Sequence, residues 1–600
     1  MAISTKLPEE NLVTLPDTSQ TQPTSQYLLR RPIWVDAAVF LFLGAIVFLL
    51  VNAAHSITAP RRQQVVIDLS IHSLPKYMGW SLFRGFAAYC LSLIFTLVYG
   101  YIAAKNRRAE KIMIPILDIL QSIPVLGFMP SVLLALIALF PDSNLGLELT
   151  AIIMIFTGQV WNMTFSFYHS LRTIPQELKE AAKVYGFGWW RTFWKLELPF
   201  SAIPLVWNSM MGVAGGWFFL TICETFRLGE HDFRLPGIGS YMWEAIERND
   251  MRAMFYGIGA MIVLILLIDQ LIWKPIVAWA QKFQYKESAA QASSSFILDM
   301  LKQSAILDMI GRVSSNIKNS AEDLLYKRRK IASRATKQTH NYGVPYLRQI
   351  LSLFVRVIGA LIAMAAGLAV LIGISRLVAL ISNVNVEQWL DIGIGAGFTL
   401  ARVTATLILA SLWTIPIGIV IGLKPRVSKV MQPVILILAS FPAPMIYPLI
   451  LKLLNHFNVS LEYGAVFLLA LGSQWYILFN SVAGASKISD ELNQVTKIYR
   501  FSQVRRWVKL YLPAVFPSLI TGWIAAAGGA WNASIVAEYI HTGGKVLSAT
   551  GLGAIISMAT EQKHLHILAA SVIVMAMMVV IINRIFWEPI FKIASEKFSS

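Results

Sequence analysis

Residues 115–130 read PILDILQSIPVLGFMP, and residues 433–448 read PVILILASFPAPMIYP. Pro115 recurs as Pro433, Ser122-Ile-Pro124 as Ser440-Phe-Pro442 and Pro130 as Pro448, each 318 residues on. Upstream, Arg84 and Arg402 share that offset. Downstream the second copy is four residues shorter and the offset becomes 314: Trp161 matches Trp475, Leu198-Pro199 matches Leu512-Pro513, and Trp217 matches Trp531. Glu224 then matches Glu538, Gly237 and Gly239 match Gly551 and Gly553, and Trp273 with Pro275 matches Trp587 with Pro589. A constant offset held this long marks an internal repeat, so the chain is two copies of one unit.

The medium in which the copies fold is set by composition. Of 600 residues, 56% are hydrophobic and 14% charged, against about a quarter charged in soluble domains. The apolar residues form blocks such as 34–54, 87–104 and 258–273, close to the length a helix needs to cross a bilayer. Lipid offers open backbone groups no partner, so these blocks must be helical. The net charge of +18 does not point to nucleic acid, because the basic residues cluster beside apolar blocks, as cytoplasmic loops require. Cys90 and Cys223 each lie inside an apolar block and make no disulfide framework, and nine scattered histidines show no metal spacing.

Six spans are expected in the first copy, near 34–54, 80–104, 112–140, 149–170, 200–224 and 252–273. Six more are expected near 350–381, 397–422, 431–455, 463–485, 514–538 and 566–587. Lys105, Arg107, Arg108 and Lys111 follow the second span, and Lys424, Arg426 and Lys429 follow the eighth, which places both loops inside. Residues 141–148 and 383–391 carry no Lys or Arg and go outside; Arg61 and Arg62 break the pattern. Equivalent loops on the same side make the repeat parallel, with an even number of spans per half. Residues 1–30, rich in Ser, Thr, Gln and Pro, are expected as a disordered cytoplasmic tail. Residues 31–280 form the first half, 281–346 a cytoplasmic linker and 347–600 the second half. The linker contains Lys327-Arg-Arg-Lys330 and two apolar runs. It reads either as a solvated helix or as an amphipathic segment on anionic lipid.

Between the fourth and fifth spans lies Glu180-Ala181-Ala182-Lys-Val-Tyr-Gly186, followed by Leu196-Glu-Leu198-Pro199. Glu-Ala-Ala belongs to a strongly helical run, Gly186 permits a turn, and Pro199 can open the next helix, where its missing N–H costs little. This pattern resembles the cytoplasmic EAA loop of binding-protein-dependent ABC importer permeases. The resemblance covers nearly all of both halves. It implies an all-α polytopic membrane protein of two tandem six-helix permease halves of the type I importer kind, with the loop docked on an ATPase. Glu180 would then pair with a basic residue of the ATPase, and Gly186 would set the bend. In the second copy Gln494-Val-Thr replaces Glu-Ala-Ala and Arg500 replaces the glycine, while Leu512 and Pro513 remain. The two ATPase contacts are therefore expected to be unequal. No Gly-x-x-x-x-Gly-Lys-Ser/Thr occurs. No cofactor is expected on this chain: ATP and Mg belong on two partner ATPase subunits, and an external substrate-binding protein completes the system. No catalytic residue and no metal site is expected.

Gly215-Gly-Trp217 with Glu224, and Gly529-Ala-Trp531 with Glu538, occupy equivalent places in spans five and eleven. Seven residues apart, each Trp and Glu share a helix face. The expectation is that Trp217 and Trp531 face each other across the pathway, with Glu224 and Glu538 above them as gate or lining groups, or hydrogen-bonded to the loops at 237–239 and 551–553. Arg84 and Arg402, at the starts of spans two and eight, read either as anion attractors or as snorkelling helix ends. Ser122 and Ser440 mark interruptions in spans three and nine, tolerated where backbone lines a cavity. Gly-x-Trp, the Glu seven residues on and Leu235-Pro-Gly-Ile-Gly239 resemble the nitrate, sulfonate, taurine and bicarbonate branch of these permeases. That implies import of a small anion across the plasma (inner) membrane, with both termini cytoplasmic. Other readings are an ion-coupled secondary transporter with a parallel repeat, or a membrane sensor with the linker as its output.

Overall fold

The computed structural model describes residues 66–228, 231–283, 371–542 and 545–587, with a few positions beside them. The tail at 1–30, the first span at 34–54, Arg61 and Arg62, and nearly all of the linker lie outside the described residues. The seventh span is described mainly by the short apolar helix Leu371–Ile381.

In the first half, α1 (Leu74–Lys105) leads into α2 (Arg107–Ser122), α3 (Val125–Leu139) and α4 (Leu145–Arg172). Then come the short α5 (Gln176–Val184) and the long α6 (Leu198–Glu224). A small hairpin of β1 (Arg227–Leu228) and β2 (His231–Asp232) precedes α7 (Ile238–Glu247) and α8 (Met251–Ile268). The second half repeats this order: α9 (Val386–Gly422), α10 (Pro425–Ser440), α11 (Tyr447–His456), α12 (Leu461–Ala485), α13 (Asp490–Ile498) and α14 (Leu512–Ala537). It closes with the hairpin β3 (Tyr539–Thr542) and β4 (Lys545–Ser548), then α15 (Leu552–Glu561) and α16 (Leu565–Ile582). Both hairpins are antiparallel, pairing Arg227 with Asp232 and Tyr539 with Ser548. They add a little strand to an otherwise helical chain.

Among the described residues eight helices are long and apolar enough to cross a membrane. Spans three and nine, expected near 112–140 and 431–455, are not straight helices. Residues 107–121 and 125–139 meet at 98°. The cause is local. Pro124 and Pro442 have no N–H to give and force the preceding residue out of the α region. Ile123 sits at φ −80, ψ 125 and Phe441 at φ −73, ψ 125. In the second half a further proline, Pro444, turns the first residues after the break into a 3-10 turn, Ala443–Met445, before α11 starts.

Within the first half α4 packs between α1 and α6, and within the second α12 packs between α9 and α14. Buried hydroxyls pair across the first of these seams, Thr96 Oγ1 lying 3.0 Å from Thr164 Oγ1. The halves are interlocked reciprocally: α8 of the first touches α10 of the second, and α16 of the second touches α2 and α3 of the first. Asn532 Oδ1 of α14 accepts the Val125 N–H at 2.8 Å, which satisfies a donor that the Pro124 break leaves free. At equivalent places, Phe193–Glu197 and Trp507–Tyr511 form π-helical turns leading into α6 and α14, and Asp269–Trp273 and Asn583–Trp587 follow α8 and α16.

Candidate functional site

Two features could carry function, and α6 and α14 connect them: the loops at their N-terminal ends and polar clusters at their far ends.

At the loop end, α5 holds Glu180 and Ala181 exposed and Ala182 buried. The helix stops by chain geometry. Gly186 takes φ +65, its N–H donates to Lys183 O at 2.9 Å, and the Phe187 N–H donates to Ala182 O at 2.9 Å. These are the two bonds of a Schellman stop. The chain then makes one helical turn, Trp189–Thr192, and runs through a π turn into α6, with Pro199 in its first turn. The buried carboxylate of Glu197 takes a salt bridge from Lys105 at the end of α1. The second loop copies the backbone without the glycine. Arg500 adopts φ 50, and the Phe501 N–H donates to Thr496 O at 2.9 Å. Gln494 is exposed and Thr496, equivalent to Ala182, is buried. Each loop shows water an apolar pair at matched positions: Val184 (85% exposed) and Tyr185 (78%), then Ile498 (75%) and Tyr499 (71%). Leu198, Pro199 and Pro513 are half-buried at the helix starts, and Leu512 is exposed.

At the far end of the first half, Arg84 is fully buried. It lies ten residues into α1, not at a span start as expected, because the helix begins at Leu74. Its Nε and Nη2 donate to the two oxygens of Glu148 at 2.6 and 2.7 Å, and its Nη1 donates to Glu224 Oε1 at 2.8 Å and Pro236 O at 2.7 Å. Glu224 Oε1 also accepts from Ser81 Oγ at 2.7 Å, and its Oε2 accepts the Gly239 N–H at 2.8 Å. The Trp80 ring lies 5.7 Å from the guanidinium carbon. Every guanidinium nitrogen and carboxylate oxygen of the cluster is paired, as buried polar groups require.

The second half rebuilds the cluster position by position. Arg402 donates to Glu538 Oε1 at 3.0 Å and Thr550 O at 2.6 Å, and it forms a salt bridge with Glu462. Thr399, the counterpart of Ser81, donates to Glu538, and the Gly553 N–H reaches Glu538 Oε2 at 2.9 Å. Phe398 stands where Trp80 stood, 5.9 Å from the Arg402 guanidinium carbon. A side chain at Gly239 is excluded, since its Cβ would lie 2.6 Å from Thr221 O. In both halves, then, the Glu at the end of the long helix binds the following loop. Neither arginine snorkels, and neither carboxylate faces an open route.

Sequence alone singled out Arg84, Glu224 and their copies but not Glu148, Glu462, Ser81 or Thr399. The signal existed: the two acids are 314 apart, and the two hydroxyl residues are 318 apart.

Trp217 and Trp531 do not face each other. Both are buried. Trp217 lies against Gly85 of α1, and no ring contact joins the two among the described residues. The residues beside them do meet. Between the halves a narrow cavity is lined by Gly215 and Phe218 of α6, Gly529 and Asn532 of α14, and Trp475 and Tyr476 of α12. No charged side chain is among its described lining residues. Ser440 is buried and bonds Leu436 O at 2.8 Å within its own helix, and Ser122 closes α2 at the 98° break.

A repeated all-helical unit with interlocked halves, matched loops and a shared cavity defines a membrane permease. Residues 96–272 and 414–586 each match the family described as binding-protein-dependent transport system inner membrane component, and the chain belongs to that family, carrying its domain twice. It is similar to the bicarbonate transport system permease protein CmpB of Synechococcus elongatus, 27% identical over 186 residues, which is 31% of this chain and 64% of that protein. It is similar to the nitrate import permease protein NrtB of the same species, 27% identical over 155 residues, 26% of this chain and 54% of that protein. The taurine transport system permease protein TauC of Escherichia coli is 24% identical over 178 residues, 30% of this chain and 61% of that protein. The matched segments thus span about half to two thirds of these relatives.

Proposed function

We propose that this chain carries both transmembrane subunits of an ATP-driven importer, fused in one polypeptide, which moves a small solute of the nitrate, bicarbonate or sulfonate kind. The observation that carries this is the pair of matched loops. Each ends in a left-handed residue, each exposes an apolar pair to water, and each leads directly into the helix that lines the cavity. An exposed apolar pair on a short rigid helix has the form of a docking element. Two partner ATPase subunits would sit there, holding the ATP and Mg, and their closure would tilt α6 and α14 and move the cavity from one face to the other. An external substrate-binding protein would deliver the solute at the far end. The membrane is then the plasma (inner) membrane, with both termini on the cytoplasmic side. Glu224 and Glu538 serve in this reading as tethers that make the loops at 237–239 and 551–553 move with the long helices, and not as ligands. Co-expression with the candidate ATPase tests it. The complex is expected to co-purify and to hydrolyse ATP, while the chain alone hydrolyses none. Failure of any ATPase to bind, with both loops intact, would overturn the reading.

A further inference from the structure

At the end far from the coupling loops a second cavity of about 310 Å³ lies between the halves. Trp243 of α7 lines it from the first half; Tyr447, Tyr539, His541 and Glu561 line it from the second. The rings run across the boundary, with Trp243 and His541 centroids 5.7 Å apart and His541 and Tyr539 centroids 5.4 Å apart. The Tyr539 hydroxyl donates to Glu561 Oε2 at 2.5 Å, and His541 Nε2 lies 3.5 Å from the same oxygen. Glu561 Oε1 accepts no hydrogen bond from the described residues, and the side chain is 44% exposed. Tyr447 is 2% exposed, and its buried hydroxyl has no hydrogen-bond partner among the described residues.

Packing does not require this set. The repeat places Ser557 opposite Trp243, Thr225 opposite Tyr539 and Met129 opposite Tyr447, so the aromatic group is built once although the fold is built twice; the acid recurs, Glu247 standing opposite Glu561. Among the described lining residues there is a carboxylate but no lysine or arginine. A carboxylate with a free oxygen beside aromatic faces is the chemistry that holds an ammonium group, through the charge and through the ring quadrupoles. The size suits a small organic molecule. A bare inorganic anion would meet the Glu561 charge with no lysine or arginine among the described lining residues to offset it.

We propose that this cavity is a reception site for an organic solute bearing a cationic nitrogen, held by Glu561 against the Trp243 and Tyr539 rings. The inference rests on the importer reading and narrows its solute to zwitterions that join an amine to an oxyanion. The Tyr447 hydroxyl supplies an unspent donor for the oxyanion end.

The test uses the full chain alone in lipid nanodiscs, without any ATPase, and radiolabelled 2-aminoethanesulfonate as the probe. Saturable binding is expected, displaced by choline but not by ethanesulfonate or nitrate. Glu561→Gln is expected to weaken it about tenfold, and Trp243→Leu to do so by a similar factor. Displacement by nitrate or ethanesulfonate, or full binding to Glu561→Gln, would overturn the proposal. No binding of the probe, in a preparation that still recruits an ATPase, would sink this inference and leave the importer reading standing.

Discussion

Replacing Arg84 by alanine leaves the carboxylates of Glu148 and Glu224 buried without their shared counter-charge. Breaking a buried ion cluster in this way costs about 3–5 kcal/mol, so Arg84→Ala is expected to lower the thermal unfolding temperature of the purified protein sharply. Arg402→Ala should cost less, because Glu462 is 40% exposed and water takes over part of its solvation. Equal losses from the two changes would show that the exposure of Glu462 brings no relief. At this scale the sequence was half legible. A buried Arg and a Glu at a helix end stand out in apolar blocks, and their recurrence marks them as important. Their geometry could not be read, because the Glu148–Arg84–Glu224 contacts join three helices far apart in the chain. The tryptophans show the same limit. A shared helix face says that Trp217 and Glu224 point in similar directions, but only packing decides that this direction is into α1 and not into the cavity.

The matched loops show what an element can tolerate. Nothing lies within 4 Å of a Cβ built on Gly186, so a side chain there meets open space and only its φ of +65 matters. The left-handed conformation costs an ordinary residue about 1–2 kcal/mol. Gly186→Arg should therefore fold and lose roughly that much, and Arg500→Gly should gain about 1 kcal/mol, both read by denaturant titration. Function is expected to separate from stability. Glu180→Ala is expected to uncouple ATP hydrolysis from uptake more than Gln494→Ala does, because a carboxylate can pair with a cation on a partner and an amide binds one far less strongly. Similar losses from both would mean that the loops dock alike. The EAA pattern made the helix, the turn at Gly186 and the helix start at Pro199 legible in the first loop. The second was legible in position but not in shape: with Arg500 in place of glycine nothing in the sequence marked a turn, yet the Phe501-to-Thr496 bond holds the same one. Prolines 124 and 442 announced the breaks in spans three and nine, but the size of the bend is set by what the free segment packs against.

At the scale of the molecule, the two halves enclose cavities between them, and each lends an end helix to the other. The constant offsets made the pseudo-twofold plan readable from sequence. The interlock was not readable, since it depends on the contacts of α8 and α16 across the boundary. Nor was the aromatic cavity at Trp243, because repeats draw attention to what is kept, and the rings of this site are among what differs. Reconstitution into liposomes tests the central claim, that this tandem moves solute only when ATPases act on both loops. Uptake of labelled solute should require the chain, the ATPase and ATP together, with the delivering external protein supplied, and should vanish with a hydrolysis-dead ATPase. Robust uptake by the chain alone, driven by an imposed proton or sodium gradient, would contradict the account.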